Sequence, residues 1–345
     1  MKAFADPSYV LGLLEDLLNI PSPTGYTGAI MKRIEEEAER LGLSCERTPK
    51  GMAILTLPGE SQETLGLTAH VDTLGAMVRS VKENGRLRLT PLGGYAMSSI
   101  ENEYVTIHTR SGESYAGTVL TTHPSVHVFP DVRDQKREEA NMEVRIEADV
   151  TSRKEAEAMG IRVGDFVSFD PRAQLLENGW IRSRHLDDKA GVASVFGLLE
   201  ALIRMKKKPA KTLKVFITNY EEVGHGAGWL PSEVNELLAV DMGAMGDDLT
   251  CTEKQVSICA KDSSGPYDYE MVSKLIRLAD REGLAYAVDI YPQYSSDASA
   301  ALRGGQNVKA ALIGPGVHAS HGMERTHREA LWNTIALLAA YVLEA

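Results

Sequence analysis

Two adjacent carboxylates, Glu221 and Glu222, follow an apolar stretch that ends at Tyr220. A turn residue, Gly224, comes shortly after them, as in a chain that leaves a strand. Because α/β enzymes bind ligands outside the carboxyl ends of their strands, the pair is predicted to lie at a ligand site. One carboxylate of such a pair can hold a metal ion while the other accepts a proton from water. The pair therefore indicates metal-assisted hydrolysis.

Four further stretches carry histidine or acidic residues at the end of an apolar run or at the opening of a helix. These residues are His70 and Asp72, then Asp187 and Asp188, then Asp241, and lastly His318, His321 and Glu324. Each stretch alone is a weak signal, because short His-x-Asp and Asp-Asp pairs are common on exposed turns. A mixed set of histidine and carboxylate ligands suits zinc, cobalt or manganese better than calcium. Together the five stretches predict a metallohydrolase.

The elements that would position these residues alternate between strand-like and helical patterns. Predicted helices span residues 8–19, 28–41, 189–205, 269–282 and 328–343, and predicted strands span residues 52–57, 64–69, 213–218, 237–240 and 285–290. This alternation is typical of an α/β fold with a mostly parallel sheet flanked by helices. The predicted site residues then meet at the carboxyl edge of that sheet.

The middle of the chain has a different pattern. Between residues 75 and 170, short β-prone pieces are separated by turn signals such as Asn84-Gly85 and Gly93-Gly94. The pattern predicts a small barrel or sandwich inserted into the α/β domain. We expect a discontinuous catalytic domain of residues 1–72 and 165–345 and an inserted small β-barrel domain of residues 73–164.

Composition excludes several classes of protein. The net charge of −11 argues against a broad surface for nucleic acid or anionic lipid. No stretch approaches the roughly 20 apolar residues of a membrane span, and the first residues lack the apolar core of a signal peptide. Three cysteines make no disulfide framework and are predicted to be buried thiols. We therefore expect a cytoplasmic protein that binds neither nucleic acid nor membranes.

Taken together, the motifs resemble the glutamyl aminopeptidase/tetrahedral aminopeptidase family of dinuclear metallopeptidases, over nearly the whole chain. The resemblance rests on Ser22-Pro-Thr-Gly25, Pro91-Leu-Gly-Gly94, Gly160-Ile-Arg-Val-Gly-Asp165, Asp187-Asp-Lys-Ala-Gly191, Glu221-Glu-Val-Gly224 and Ser296-Asp297-Ala298. It implies a zinc-exopeptidase-like α/β fold with an inserted barrel that serves assembly or substrate access.

The resemblance also implies roles for individual residues. Two divalent metal ions, zinc or cobalt, would be held by Asp187 between them, by His70 and Asp241 on one side, and by Glu222 and His321 on the other. Glu221 would be the general base, and Asp72 would orient His70. The peptide bond between Asp187 and Asp188 is often cis in such proteins.

One stretch departs from the family pattern. The last histidine of the family usually lies in a His-Ser-Pro-Val-Glu context, whereas here the sequence reads Val317-His-Ala-Ser-His-Gly-Met-Glu324. Counting back from Asn333 in the final helix favours His321, with a one-residue deletion. His318 and His327 stay open as alternatives.

The leading expectation is an aminopeptidase that removes N-terminal residues from short peptides. A related amidohydrolase of a specialised small or N-acylated dipeptide is the first alternative, and a non-catalytic metal-binding assembly protein is the second. The resemblance further implies a homo-oligomer, commonly of twelve subunits.

Overall fold

Two hydrophobic cores organise the chain in the computed structural model, which describes residues 4–344. The helices are α1 (Pro7–Leu18), α2 (Gly28–Arg40), α3 (Arg153–Ala158), α4 (Leu186–Arg204), α5 (Tyr269–Glu282), α6 (Asp297–Arg303) and α7 (Arg328–Glu344). The strands are β1 (Ser44–Arg47), β2 (Ala53–Leu57), β3 (Ser61–His70), β4 (Gly75–Val81), β5 (Leu87–Leu92), β6 (Tyr104–His108), β7 (Ser114–Thr121), β8 (Met142–Ile146), β9 (Phe166–Phe169), β10 (Gln174–Leu175), β11 (Trp180–Ser183), β12 (Lys211–Thr218), β13 (Val234–Val240), β14 (Val256–Asp262), β15 (Gly265–Pro266), β16 (Tyr286–Ile290), β17 (Lys309–Pro315) and β18 (Glu324–His327).

The larger core surrounds a nine-stranded mixed sheet with the order β1-β2-β12-β3-β13-β17-β14-β15, in which β16 pairs with β14. The four central strands, β12, β3, β13 and β17, are parallel to one another, whereas the pairs toward both edges include antiparallel ones. Helices pack against this sheet, and the α/β prediction is confirmed. The parallel centre sends four carboxyl ends to one edge, where the predicted site residues lie.

The smaller core lies inside a closed six-stranded barrel with the order β4-β5-β8-β7-β6-β9. Apolar side chains that alternate along the strands fill it, among them Val78, Ile107 and Val144. Because the barrel closes on itself, it leaves no unpaired edge strand of its own. The barrel begins at Gly75 and its last strand ends at Phe169. The limits of the inserted domain, residues 73–164, stay a prediction.

Capping and periodicity explain the helix limits. In α5, the Asp268 carboxylate accepts a hydrogen bond from the Met271 amide, 2.9 Å away, and Gly283 ends the helix with a positive φ of 61°. Its buried residues, which include Leu275 and Leu278, recur at helical spacing. These signals are local, which is why the predicted limits of this helix, 269–282, coincide with the observed ones.

The structure differs from the sequence prediction in three elements and in one cysteine. The strands β14 and β17 and the short helix α6 had no counterpart among the predicted elements. All three cysteines are free; Cys251 and Cys259 are buried, whereas Cys45 is only half-buried. Among residues 4–344, no helix combines the length and apolar character needed to cross a membrane.

Candidate metal centre and active site

The candidate site is assembled from the carboxyl ends of the central strands. His70 is the last residue of β3 and is paired in register with Thr218, the last residue of β12. Glu221 and Glu222 follow β12 after a two-residue gap, and Asp241 comes directly after β13. Parallel pairing brings these strand ends to one edge, so residues far apart in sequence become neighbours.

Asp187 reaches the same place from a helix. It is the second residue of α4, but its ψ of 107° and that of Asp188, 27°, are not helical. The peptide bond between them is cis, as the resemblance implied. Both aspartates are buried, and most of the remaining residues of α4 are buried as well.

The Asp187 carboxylate lies between two histidines. Its Oδ1 is 3.1 Å from His70 Nε2, and its Oδ2 is 3.2 Å from His321 Nε2. Glu222 Oε2 lies 3.5 Å from His321 Nε2, whereas Asp241 Oδ2 lies 3.9 Å from His70 Nε2. Asp187 therefore lies between His70 and His321, with Asp241 on the His70 side and Glu222 on the His321 side.

Glu221 lies on the His70 side of the cluster. Its Oε2 is 3.8 Å from His70 Nε2 and its side chain is 12% exposed, against 3% for Glu222. The two neighbours lie on a single 3-10 turn, Glu221–Val223, so their carboxylates diverge. One carboxylate thus faces each half of the cluster.

The Asp72 carboxylate makes contacts that the sequence did not predict. His70 Nδ1 is 2.9 Å from the main-chain oxygen of Asp72 and 3.5 Å from its Oδ1. The carboxylate oxygens instead accept hydrogen bonds from the amides of Glu221 and Glu222, at 3.1 and 3.3 Å, and from the Thr24 hydroxyl at 2.7 Å. Asp72 is fully buried. It therefore fixes the backbone of the glutamate turn as well as lying beside the His70 ring.

Glu324 has a role that sequence reasoning missed, although it lies in the last predicted motif. Its buried carboxylate accepts hydrogen bonds from the Asp187 amide at 3.0 Å and from the His321 amide at 3.1 Å. One side chain thereby ties together the two segments that carry Asp187 and His321. The only signal for it in the sequence is its position three residues after His321.

Of the three candidate histidines near the end of the chain, the structure brings His321 into the cluster. His321 has a φ of 61°, a conformation that costs a non-glycine residue free energy and is typical of functional sites. Its Nδ1 also contacts the Gly94 carbonyl oxygen. His318 is exposed and exchanges main-chain hydrogen bonds with Arg325, and His327 Nε2 lies 3.2 Å from the Asn178 oxygen.

The histidines and Asp187 stabilise one another's charged forms. Burial by itself lowers the pKa of His70, but the contacts with Asp187 and Asp72 outweigh it and raise that pKa well above its usual value. Burial also opposes the charge of His321, yet Asp187 and Glu222 raise its pKa to about 10. Burial raises the pKa of Asp187, but His321 and His70 outweigh burial and lower it.

For the other carboxylates, the neighbouring histidines do not offset the effect of burial on the pKa. Burial, together with the charge of Asp187, raises the pKa of Glu222 to about 8 and that of Asp241 to about 7. Burial also raises the pKa of Glu221 well above its usual value, and the charge of Asp241 adds to this effect. Oδ1 of Asp188, also fully buried, has no hydrogen-bond partner within the described chain. The cluster holds more negative charge than its two histidines can balance.

The donor set fits divalent cations. The potential ligand atoms form two groups, one of His70, Glu221 and Asp241 and the other of His70, Asp187 and Glu222. Within each group the ligand atoms lie within 4.8 Å of one another. Imidazole nitrogens combined with carboxylate oxygens are typical ligands of zinc and its neighbours in the first transition series. Cations placed here would also supply the missing positive charge. The individual ligand roles remain predictions.

The fold and the cluster define a class of hydrolase, and comparison with known proteins gives the family. The chain belongs to the M42 glutamyl aminopeptidase family, which matches residues 51–337. It is 46% identical over 332 residues to "Putative aminopeptidase YhfE" of Bacillus subtilis, covering 96% of each chain. It is 26% identical over 211 residues to the glutamyl aminopeptidase of Lactococcus lactis, covering 60% of this chain and 58% of that one. The chain is therefore a peptidase of an aminopeptidase family, and the predicted family and enzyme class are confirmed.

Solved structures confirm the fold. An aminopeptidase of the archaeon Desulfurococcus kamchatkensis has a TM-score of 0.89 at 22% identity, over 98% of this chain and 96% of that one. The TET1 peptidase of Pyrococcus horikoshii has a TM-score of 0.85 at 23% identity, over 97% of this chain and its full length. At these identities the likeness shows the fold, which is the predicted zinc-exopeptidase-like one with its barrel.

Proposed function

We propose that this chain is a dinuclear metal-dependent aminopeptidase that removes N-terminal residues from short peptides. The observation that carries the proposal is the position of Asp187, whose two oxygens lie 3.1 and 3.2 Å from two different histidines. A single carboxylate shared by two ligand groups is what a pair of cations requires. Membership of the M42 family supports the same reading.

The roles of the residues follow from their positions. His70, Asp187 and Asp241 would hold one ion, and Asp187, Glu222 and His321 the other. Two bound cations, zinc or cobalt, would polarise the scissile carbonyl and make the attacking water more acidic. Buried carboxylates hold the backbone of three of these ligands, since Asp72 accepts from the amide of Glu222 and Glu324 accepts from the amides of Asp187 and His321.

Glu221 would be the general base. It would accept the proton of the attacking water and pass it to the nitrogen of the leaving peptide. Its side chain is nearly buried, and burial raises its pKa well above the usual value of a glutamate. The charge of bound cations would lower that pKa again, so the base would be ionised before the reaction.

A panel of peptides tests the proposal. The protein would be loaded with Zn²⁺ or Co²⁺ and assayed against dipeptides and tripeptides with a free amino group and against the same peptides after N-acetylation. We expect hydrolysis of the free peptides only, and loss of that activity with a chelator. Hydrolysis of the N-acetylated peptides alone would favour the specialised amidohydrolase, and no hydrolysis of either set would favour a non-catalytic metal-binding protein.

We also propose that the chain forms a homo-oligomer. The TET1 peptidase of Pyrococcus horikoshii, which shares the fold, can assemble into a tetrahedron or a large octahedral shell, and a related structure of it is a dodecamer. Size-exclusion chromatography with light scattering should give a mass near twelve subunits. A monomer at micromolar concentration would contradict this.

A further inference from the structure

A cavity of about 310 Å³ is lined in part by residues close in sequence to Asp187 and His321, and no step of the proposed mechanism uses it. We call it the arginine cavity; its lining includes Arg172, Arg182, Arg184, Ser99, Glu103 and Met323. We propose that it binds a carboxylate group of the peptide substrate. This inference rests on the proposed peptidase function and adds a substrate preference to it.

The cavity holds more positive than negative charge. Glu103 is paired with Arg172 at 2.8 Å and with Arg184 at 3.0 Å, so one carboxylate serves two guanidinium groups. Arg182 donates hydrogen bonds from its Nε, at 2.8 Å, and from its Nη2 to Oε1 of Gln174, a neutral partner. Guanidinium groups bind carboxylates through two parallel hydrogen bonds, which makes a carboxylate the natural complement of this lining.

Two polar atoms of the lining are also unsatisfied. The Arg184 side chain is 6% exposed, and its Nε has no hydrogen-bond partner among residues 4–344. The Ser99 hydroxyl oxygen, also buried, is without a partner in the same described chain. A buried polar group left without a hydrogen bond costs about 1–3 kcal/mol, so such groups usually have a ligand or water to bind. Both residues belong to the lining of the cavity, so hydrogen bonds within the described chain leave its polar wall only partly satisfied.

Residues of the cavity lining are linked to the catalytic cluster through the chain and through hydrogen bonds. Arg184 lies three residues before Asp187, a span of at most about 11 Å of extended chain. Met323 lies two residues after His321. The segment from Gly94 to Ser99 contacts both groups, since the Gly94 oxygen contacts the His321 ring and the Ser99 oxygen accepts a hydrogen bond from Arg184. The proposal therefore places the carboxylate of a short peptide in the cavity while its first peptide bond lies at the cluster.

The test compares peptides that differ only in charge. The metal-loaded protein would be assayed with Leu-Gly-Gly carrying a free C-terminal carboxylate and with the same peptide as a C-terminal amide. A second pair, Leu-Glu-Gly amide and Leu-Gln-Gly amide, separates a side-chain carboxylate from the C-terminal one. Because charged hydrogen bonds contribute roughly tenfold or more to affinity, we expect one pair to show at least about a tenfold ratio in kcat/KM, mainly through KM.

Variants of the exposed arginines assign that ratio to the cavity. The double variant Arg172→Gln/Arg182→Gln should bring the ratio close to one, whereas Arg153→Gln, which removes an exposed barrel arginine paired with Glu83, should keep it. Calorimetry gives a readout without turnover, since the Glu221→Gln variant should bind the acid peptide about tenfold more tightly than the amide.

The outcomes are distinct. Equal hydrolysis of acid and amide in both pairs, or a ratio that survives the double variant, would overturn the arginine cavity as a carboxylate site while leaving the peptidase function intact. A metal-loaded protein that cleaves no free-amino peptide would overturn the proposed function, and the cavity assignment would fall with it.

Discussion

The interior of the barrel buries apolar side chains, whereas the carboxyl edge of the nine-stranded sheet buries acidic ones. The barrel encloses apolar residues such as Ile107 and Val144, which gain free energy by leaving water. The sheet edge buries Asp187, Asp188 and Asp241 close together, and burial raises the pKa of the last two because charge is costly there. The barrel is complete as a packed unit, whereas the sheet edge needs cations to balance its charge.

The largest loss of activity is expected for a change at Glu221, the proposed general base, which is not among the proposed metal ligands. Glu221→Gln keeps the shape of the side chain but removes the base, so kcat should fall by about 10²–10⁴-fold while metal content stays unchanged. Glu113→Gln, an exposed barrel variant, is the matched control and should keep full activity. Steady-state kinetics and elemental analysis give both numbers. A metal-loaded Glu221→Gln protein with normal kcat would show that Glu221 is not the general base.

The next variant separates ligand from base. Glu222→Gln leaves a weaker ligand opposite His321, so we expect metal affinity to fall by at least about 100-fold and activity to return only at high metal concentration. Competition with a chromogenic chelator measures the affinity. Metal binding as tight as in the parent would show that Glu222 is not a ligand.

The pH dependence of the metal-free protein tests the charge imbalance itself. Burial raises the folded-state pKa of Glu222 to about 8 and of Asp241 to about 7, above their usual values near 4. A carboxyl group with a raised pKa binds its proton more tightly in the folded protein than in the unfolded chain. Its favourable contribution to the unfolding free energy is therefore fully present below about pH 4, and it is lost as the pH rises through 7 to 8. The unfolding free energy of the metal-free protein should therefore fall by a few kcal/mol between pH 5 and pH 8.

Chemical denaturation at the two pH values measures this loss, and Zn²⁺ or Co²⁺ should restore stability most at pH 8 because the ligands must lose their protons to bind. A metal-free protein that is as stable at pH 8 as at pH 5 would contradict the charge imbalance described for the sheet edge.

A smaller effect is expected at Asp72, which acts through the glutamate turn. Asp72→Asn replaces one acceptor oxygen by a donor that faces the amides of Glu221 and Glu222, so the turn should shift. We expect metal affinity or kcat to fall by about 10–100-fold, as for other residues that orient ligands. Asp131→Asn, on an exposed barrel loop, is the control. Unchanged kinetics and metal affinity would show that Asp72 is a plain turn residue.

The smallest effect belongs to the barrel. Ile107→Val removes one methylene from a fully buried position in β6 and should lower the unfolding free energy by about 0.5–1.5 kcal/mol. Because the site lies in another packed core, kcat/KM should stay within about twofold of the parent value. A large loss of activity would show that the barrel core and the sheet edge are coupled more closely than their separate cores suggest.

The sequence was most informative where signals are local. The cap at Asp268 and the terminating Gly283 determine the limits of α5, and alternating apolar residues between turn glycines indicate the barrel strands. The strand β17 escaped prediction because Ile313 is the only β-branched residue in its short run of alanine, leucine, glycine and proline, and its pairing with β13 joins residues far apart in sequence.

For the site, residue types and their places at strand ends were enough to name the candidates, because the ends of parallel strands must share one edge. Tertiary structure decided the rest. It brought His321 rather than His318 to Asp187, directed the Asp72 carboxylate to the amides of the glutamate turn, and gave Glu324 two amides to hold. Hydrogen bonds between distant segments depend on positions in space to within a few tenths of an ångström, and no spacing along the chain encodes those positions.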